Sequence, residues 1–161
     1  MTSAEERSAP SGVVKAFNGL RTNSLAAIVM LLLEFGLGVG VNLYITVPAA
    51  VHGKALFPAF GSAVTGGPVI LVMHAVLGTI LLITGISAVI RASLVRHSVF
   101  IGITGVALLG IVVAWLSGAR FVGTMANGAS LTMALATGAS LLCYALVLFI
   151  APGSGPAKET P

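Results

Sequence analysis

The sequence predicts an all-α membrane protein, a four-helix bundle with antiparallel up-down-up-down topology. Three observations carry this. Of the 161 residues, 57% are hydrophobic and only 7% are charged, against about 25% charged in soluble domains. The apolar residues fall into four runs, each long enough to cross a hydrocarbon core of about 30 Å. All the basic residues, and all the prolines except Pro68 at the start of a run, lie in the tails and connections. Such a chain cannot dress a water-facing surface, so its main partner is the lipid bilayer.

Residues 1–23 form a polar N-terminal segment with Glu5, Glu6, Arg7, Lys15 and Arg21. Its stretch 11–22 is expected to lie at the interface as a short separate helix. The first span covers about 24–47, too long for the apolar core of a signal peptide, which is about 7 to 15 residues. It therefore reads as a retained anchor. Pro48 ends it. The loop 48–67 carries Leu56, Phe57 and Phe60 among prolines and glycines, and is expected to lie along the membrane or fold over the bundle mouth. Pro68 opens the second span, about 68–90, at a position where its missing N–H costs nothing. A short basic loop with Arg91, Arg96 and His97 leads to the third span, about 98–116. Residues 117–128 read as a second outer loop with Arg120 as an interfacial anchor. The fourth span covers about 129–150, and residues 151–161 form a polar tail.

Basic residues near span ends favour the cytoplasm. Lys15, Arg21, Arg91 and Arg96 lie on one side, against Lys54 and Arg120 on the other. This predicts both termini in the cytoplasm and a bacterial inner (cytoplasmic) membrane location. The small residues Gly36, Gly40, Gly78, Gly85, Gly102, Gly105, Ser130, Ala134 and Gly138 are expected to mark close helix approaches, as small residues do in bilayers.

Several activities are excluded or unsupported. The net charge of +4 reflects headgroup contacts and not a nucleic-acid surface. Cys143 is the only cysteine and the chain has no aspartate, so neither an internal disulfide nor paired-carboxylate chemistry is available. No phosphate loop, nucleophile elbow or helical zinc motif occurs. His52 and Lys54 lack further ligands for a metal. No catalytic residue and no metal site is assigned.

The informative residues are polar ones inside the spans. Glu34 is the only acidic residue outside the tails and lies about 14 Å into span one at 1.5 Å per residue. Asn42 is about 12 Å beyond it on a shared broad face. The same count puts His74, Tyr44, Trp115 and Thr132 in the outer third with Asn42, and Glu34 below them with no basic neighbour. Glu34, Asn42, His74 and Tyr44 thus form the candidate intrabilayer polar site. Glu34 can be a neutral carboxyl bonded to Thr84 or Tyr144, or a proton or cation site. His74 opens the segment HAVLG, where Gly78 would give a flat ligand room.

This segment resembles the His-bearing helices of four-helix b-type membrane cytochromes and of the haem A synthase half-bundle. The resemblance implies haem b, with Met133 of the fourth span opposite His74 as the other axial ligand. More broadly, NLYITVP, HAVLG, SGARF and the closing NGAS helix resemble small uncharacterised four-helix integral membrane proteins of actinobacteria, which implies a fold and an envelope but no activity. The expected role is a non-catalytic accessory or structural subunit of a membrane complex, or a homo-oligomer. The alternatives are a haem- or quinone-binding redox protein using His74, and a small proton or solute conduit using Glu34.

Overall fold

The computed structural model describes residues 11–45, 55–124 and 126–152. Within them the chain forms five helices: α1 (Ser11–Tyr44), α2 (Leu56–Gly66), α3 (Val69–Val95), α4 (Ser98–Thr124) and α5 (Asn127–Ile150). The four long helices are each apolar and long enough to cross a bilayer. The protein is an all-α, four-helix, multi-pass membrane bundle.

Helix α1 packs against α3 and α5, and α4 closes the ring by packing against the same two. Consecutive long helices are therefore neighbours, and α3 faces α5 across the diagonal, as short antiparallel connections dictate. Three layers of buried residues run through the bundle. Leu20, Ala92, Phe100, Val147 and Ala151 close one end. Ala27, Leu31, Leu81, Ala88, Ala107, Ile111 and Tyr144 fill the middle. Val41, Ala59, Ala63, Leu71 and Val122 close the other end beneath α2. The outward faces are rich in leucine, isoleucine and valine, which is the surface lipid requires.

The expected interfacial helix 11–22 is not separate from the first span. The chain is one helix from Ser11 to Tyr44, with a length of about 51 Å at 1.5 Å per residue. Packing explains the continuity. Leu20 is fully buried, Phe17 meets Phe100 edge-on at 5.6 Å, and Arg21 donates to the Ala151 carbonyl at 2.6 Å. A segment anchored this way gains nothing by breaking to lie in the interface.

Two loops expected from punctuation are largely helical. Residues 56–66 form α2, which folds back onto α3 and α4. Residues 117–124 continue α4, in place of the expected outer loop 117–128. Gly118 and Gly123 cost about 1 kcal/mol each relative to alanine. The burial of Ala119, Phe121 and Val122 outweighs that at about 25 cal/mol per Å² of apolar area. Pro48, His52 and Lys54 lie outside the described residues.

Of the glycines expected to mark close approaches, Gly40, Gly78 and Gly85 do so. A β-carbon built on Gly36, Gly102, Gly105 or Gly138 would meet nothing within 4 Å, so these four are not close-approach positions. Tight approaches that were not expected occur at Gly19, Gly38, Gly110 and Gly118. At Gly110 the Ser140 hydroxyl occupies the space of a side chain and lies against the helix, where it donates to the Ala107 carbonyl at 3.0 Å.

Candidate functional site: an apolar cavity with a Glu–His pair

Helices α1 and α3 are joined near mid-bundle by a reciprocal arrangement. Glu34 precedes Gly38 by one helical turn on α1, and His74 precedes Gly78 by one turn on α3. The helices run antiparallel, so each polar side chain lies over the glycine of the other. A β-carbon on Gly78 would stand 2.8 Å from Glu34 Oε1, and one on Gly38 would stand 3.2 Å from His74 Cε1. The two glycines thus make the room in which the polar groups meet. Glu34 Oε1 lies 3.1 Å from His74 Nδ1, with the side chains 12% and 15% exposed.

That distance is an ion-pair distance, but the contact does not meet hydrogen-bond geometry. Nδ1 and Glu34 Oε2 are buried polar atoms without a hydrogen-bond partner among the described residues. Two bare lone pairs held this close and away from water would repel, and an unpaired buried acceptor is costly. A proton on Nδ1 or on Oε1 would remove that repulsion.

The pair lies in the wall of a cavity with about 200 Å³ of free space. Asn42, Phe60, Trp115, Gly118, Met133 and Thr137 share that wall. Phe60 of α2 packs on Trp115 with ring centroids 4.9 Å apart, and the indole N–H donates to Thr79 Oγ1 at 3.3 Å. The inner end is closed. Leu31, Leu81 and Ile111 line the cavity and also belong to the middle core layer.

Of the candidate polar residues, the structure brings Glu34, Asn42 and His74 to one cavity. Tyr44 is not with them and is 81% exposed. The sequence count also misplaces His74. It sits beside Glu34, not level with Asn42, so Glu34 does have a basic neighbour. Counting from assumed span ends fails here because α1 has no break at the interface to fix its depth. Neither expected partner of Glu34 serves. Thr84 donates to the Ile80 carbonyl, and the buried Tyr144 hydroxyl has no hydrogen-bond partner among the described residues. Trp115, expected at the depth of Asn42, shares the cavity wall with it, whereas Phe60 comes to the wall from a stretch read as a loop.

The haem arrangement gains no support from this geometry. His74 and Met133 do line one cavity, but the room beside Gly78 is filled by the Glu34 carboxylate. An apolar cavity of about 150 Å³ holds benzene. Space of about 200 Å³ suits one or two rings and not a porphyrin.

No protein family, curated protein or solved structure matches the chain in comparisons of sequence and fold.

Proposed function

We infer that this is a small accessory protein of the bacterial inner membrane that binds one neutral, mostly apolar molecule within its bundle, and that it does so without catalytic chemistry of its own. The observation that carries this reading is the placement of the Glu34–His74 pair in the wall of a mostly apolar cavity. Binding sites for small molecules combine apolar walls with a few placed polar groups. An ionisable pair inside a bilayer marks a functional site by default. Both termini are assigned to the cytoplasm on the basis of Lys15, Arg21, Arg91 and Arg96.

The charge of the occupant follows from the pair. A proton between Glu34 and His74 leaves them neutral overall, whether as acid and imidazole or as carboxylate and imidazolium. A charged ligand would then be buried without a counter-charge, which is expensive in a low-dielectric interior. A through-going conduit is disfavoured by Leu31, Leu81 and Ile111, which close the inner end with packed side chains.

Trp115 is a built-in reporter, being the only tryptophan. Purified protein titrated with bromobenzene, a small heavy-atom quencher, should show saturable loss of Trp115 emission. Ala114 of α4 also lines the cavity, and filling it by Ala114→Phe should abolish saturation while helicity is retained. Quenching that rises linearly, as for a tryptophan facing detergent, would refute the reading.

A further inference from the structure

We propose that the molecule held in this cavity is a quinone, bound through a ring carbonyl that accepts a hydrogen bond from His74 Nε2–H. The proposal rests on the reading that the cavity takes a neutral apolar ligand, and it names the class.

The argument starts from the tautomer. Two neutral states place a proton between the contacting atoms, on Nδ1 itself or on Glu34 Oε1. A neutral imidazole whose Nδ1 accepts from the Glu34 acid must carry its own proton on Nε2, and an imidazolium carries one there as well. The other states cost more: a carboxylate beside a neutral Nδ1–H imidazole leaves a net buried charge, and an acid proton on Oε2 would be a buried donor without an acceptor, since Oε2 has no hydrogen-bond partner among the described residues. Glu34 therefore fixes Nε2 as a donor, much as an outer carboxylate sets the tautomer of a metal-bound histidine.

That donor is available. Among the described residues Nε2 makes no hydrogen bond, and it is not one of the fully buried unpartnered atoms. The matching ligand atom is an uncharged acceptor, and a carbonyl meets that need. The rest of the wall selects the group that carries it. Trp115 and Phe60 give flat aromatic surface, and the free space of about 200 Å³ fits one or two rings by comparison with benzene in about 150 Å³. A flat, neutral, membrane-soluble ring bearing carbonyl oxygens is a quinone.

The test uses the full-length protein in detergent and two probes: a short-chain benzoquinone with isotope-labelled carbonyls, and bromobenzene. In the wild type, both should quench Trp115 saturably, and infrared difference spectra should show one labelled carbonyl band shifted down by hydrogen bonding. His74→Leu should raise the half-saturating quinone concentration about tenfold, the loss of one hydrogen bond of about 1.4 kcal/mol. It should leave bromobenzene within about twofold. Saturation by bromobenzene but not by quinone would keep the cavity and overturn the quinone. Saturation by neither would remove both. Equal weakening of both probes by His74→Leu would make His74 a structural residue and overturn the proposal. Should His74→Leu fail to fold, the wild-type spectrum decides alone, because bound quinone with unshifted carbonyls contradicts the hydrogen bond.

Discussion

An alanine methyl at Gly78 would stand 2.8 Å from Glu34 Oε1, and one at Gly38 would stand 3.2 Å from the His74 ring. Both substitutions should force the polar side chains apart. Gly78→Ala is expected to cost about 1 to 3 kcal/mol, the usual range for overpacking, with Gly38→Ala at the low end. Gly36 provides the control. Its β-carbon would meet nothing, and alanine is a better helix former by about 1 kcal/mol, so Gly36→Ala should be neutral or stabilising. Unfolding in mixed micelles checks all three, and a Gly36→Ala variant as unstable as Gly78→Ala would contradict this packing. At Glu34 the amide variant separates size from charge. Glu34→Gln should keep the fold, while Glu34→Ala should lose about 1 to 3 kcal/mol by stranding His74 Nδ1, again read from unfolding. Equal losses in both would show that ionisation, and not hydrogen bonding, holds the site. The singular character of Glu34 and His74 is legible in the sequence, since each is a lone ionisable group in an apolar run. Each also stands one turn before a glycine, in EFGLG and in HAVLG. What was not legible is the antiparallel register that sets each over the other's glycine, because helix depth depends on packing along the whole of α1.

Helices α2 and α4 are where local signals and tertiary packing disagree. Prolines and glycines in 48–67 and 117–128 read as loops. In the bundle, Ala59 and Ala63 of α2 and Val122 of α4 bury each other, and this contact favours helix over 56–66 and 117–124. A backbone preference of about 1 kcal/mol per glycine is smaller than the gain from covering the bundle end. The consequence for function is that α2 brings Phe60 to Trp115 at the cavity wall. Phe60→Ala should open this corner to solvent or detergent. A red shift in Trp115 emission and faster release of a bound quencher are expected, with helicity little changed. Unaltered emission would mean that α2 does not shield the indole. The α4–α5 contact offers an independent check on packing. At Gly110 a methyl would overlap the Ser140 hydroxyl and approach the Ala136 carbonyl at 3.0 Å. Gly110→Ala should therefore be more damaging than Gly102→Ala on the same helix, whose β-carbon would meet open space.

For the molecule as a whole, the number of spans follows from composition alone, because four apolar runs in 161 residues leave no other solvent than lipid. Their antiparallel ring follows from the short connections. The direction of the bundle rests on a few charges, and the structure shows where they gather. Arg21 reaches the carbonyl of Ala151 at the end of α5. Arg91 packs against Gly19. Arg96 caps α3 in a left-handed conformation with φ of 56°. Helix α2 lies at the opposite end, over the layer that holds Val41 and Leu71. Positive charge favours the cytoplasmic side, so the α2 end should face outward. With Cys143 replaced by alanine, a single cysteine at Thr65 on α2 should react with an impermeant maleimide in intact cells. A cysteine at Ser93, at the basic end of α3, should react only after the cells are opened. Both side chains are exposed on the bundle, so burial cannot mimic protection by the membrane. The reverse pattern would place the basic end outside and overturn the assignment. It would also turn the α2 end of the bundle toward the cytoplasm, so the same two labels decide on which side of the membrane that end lies.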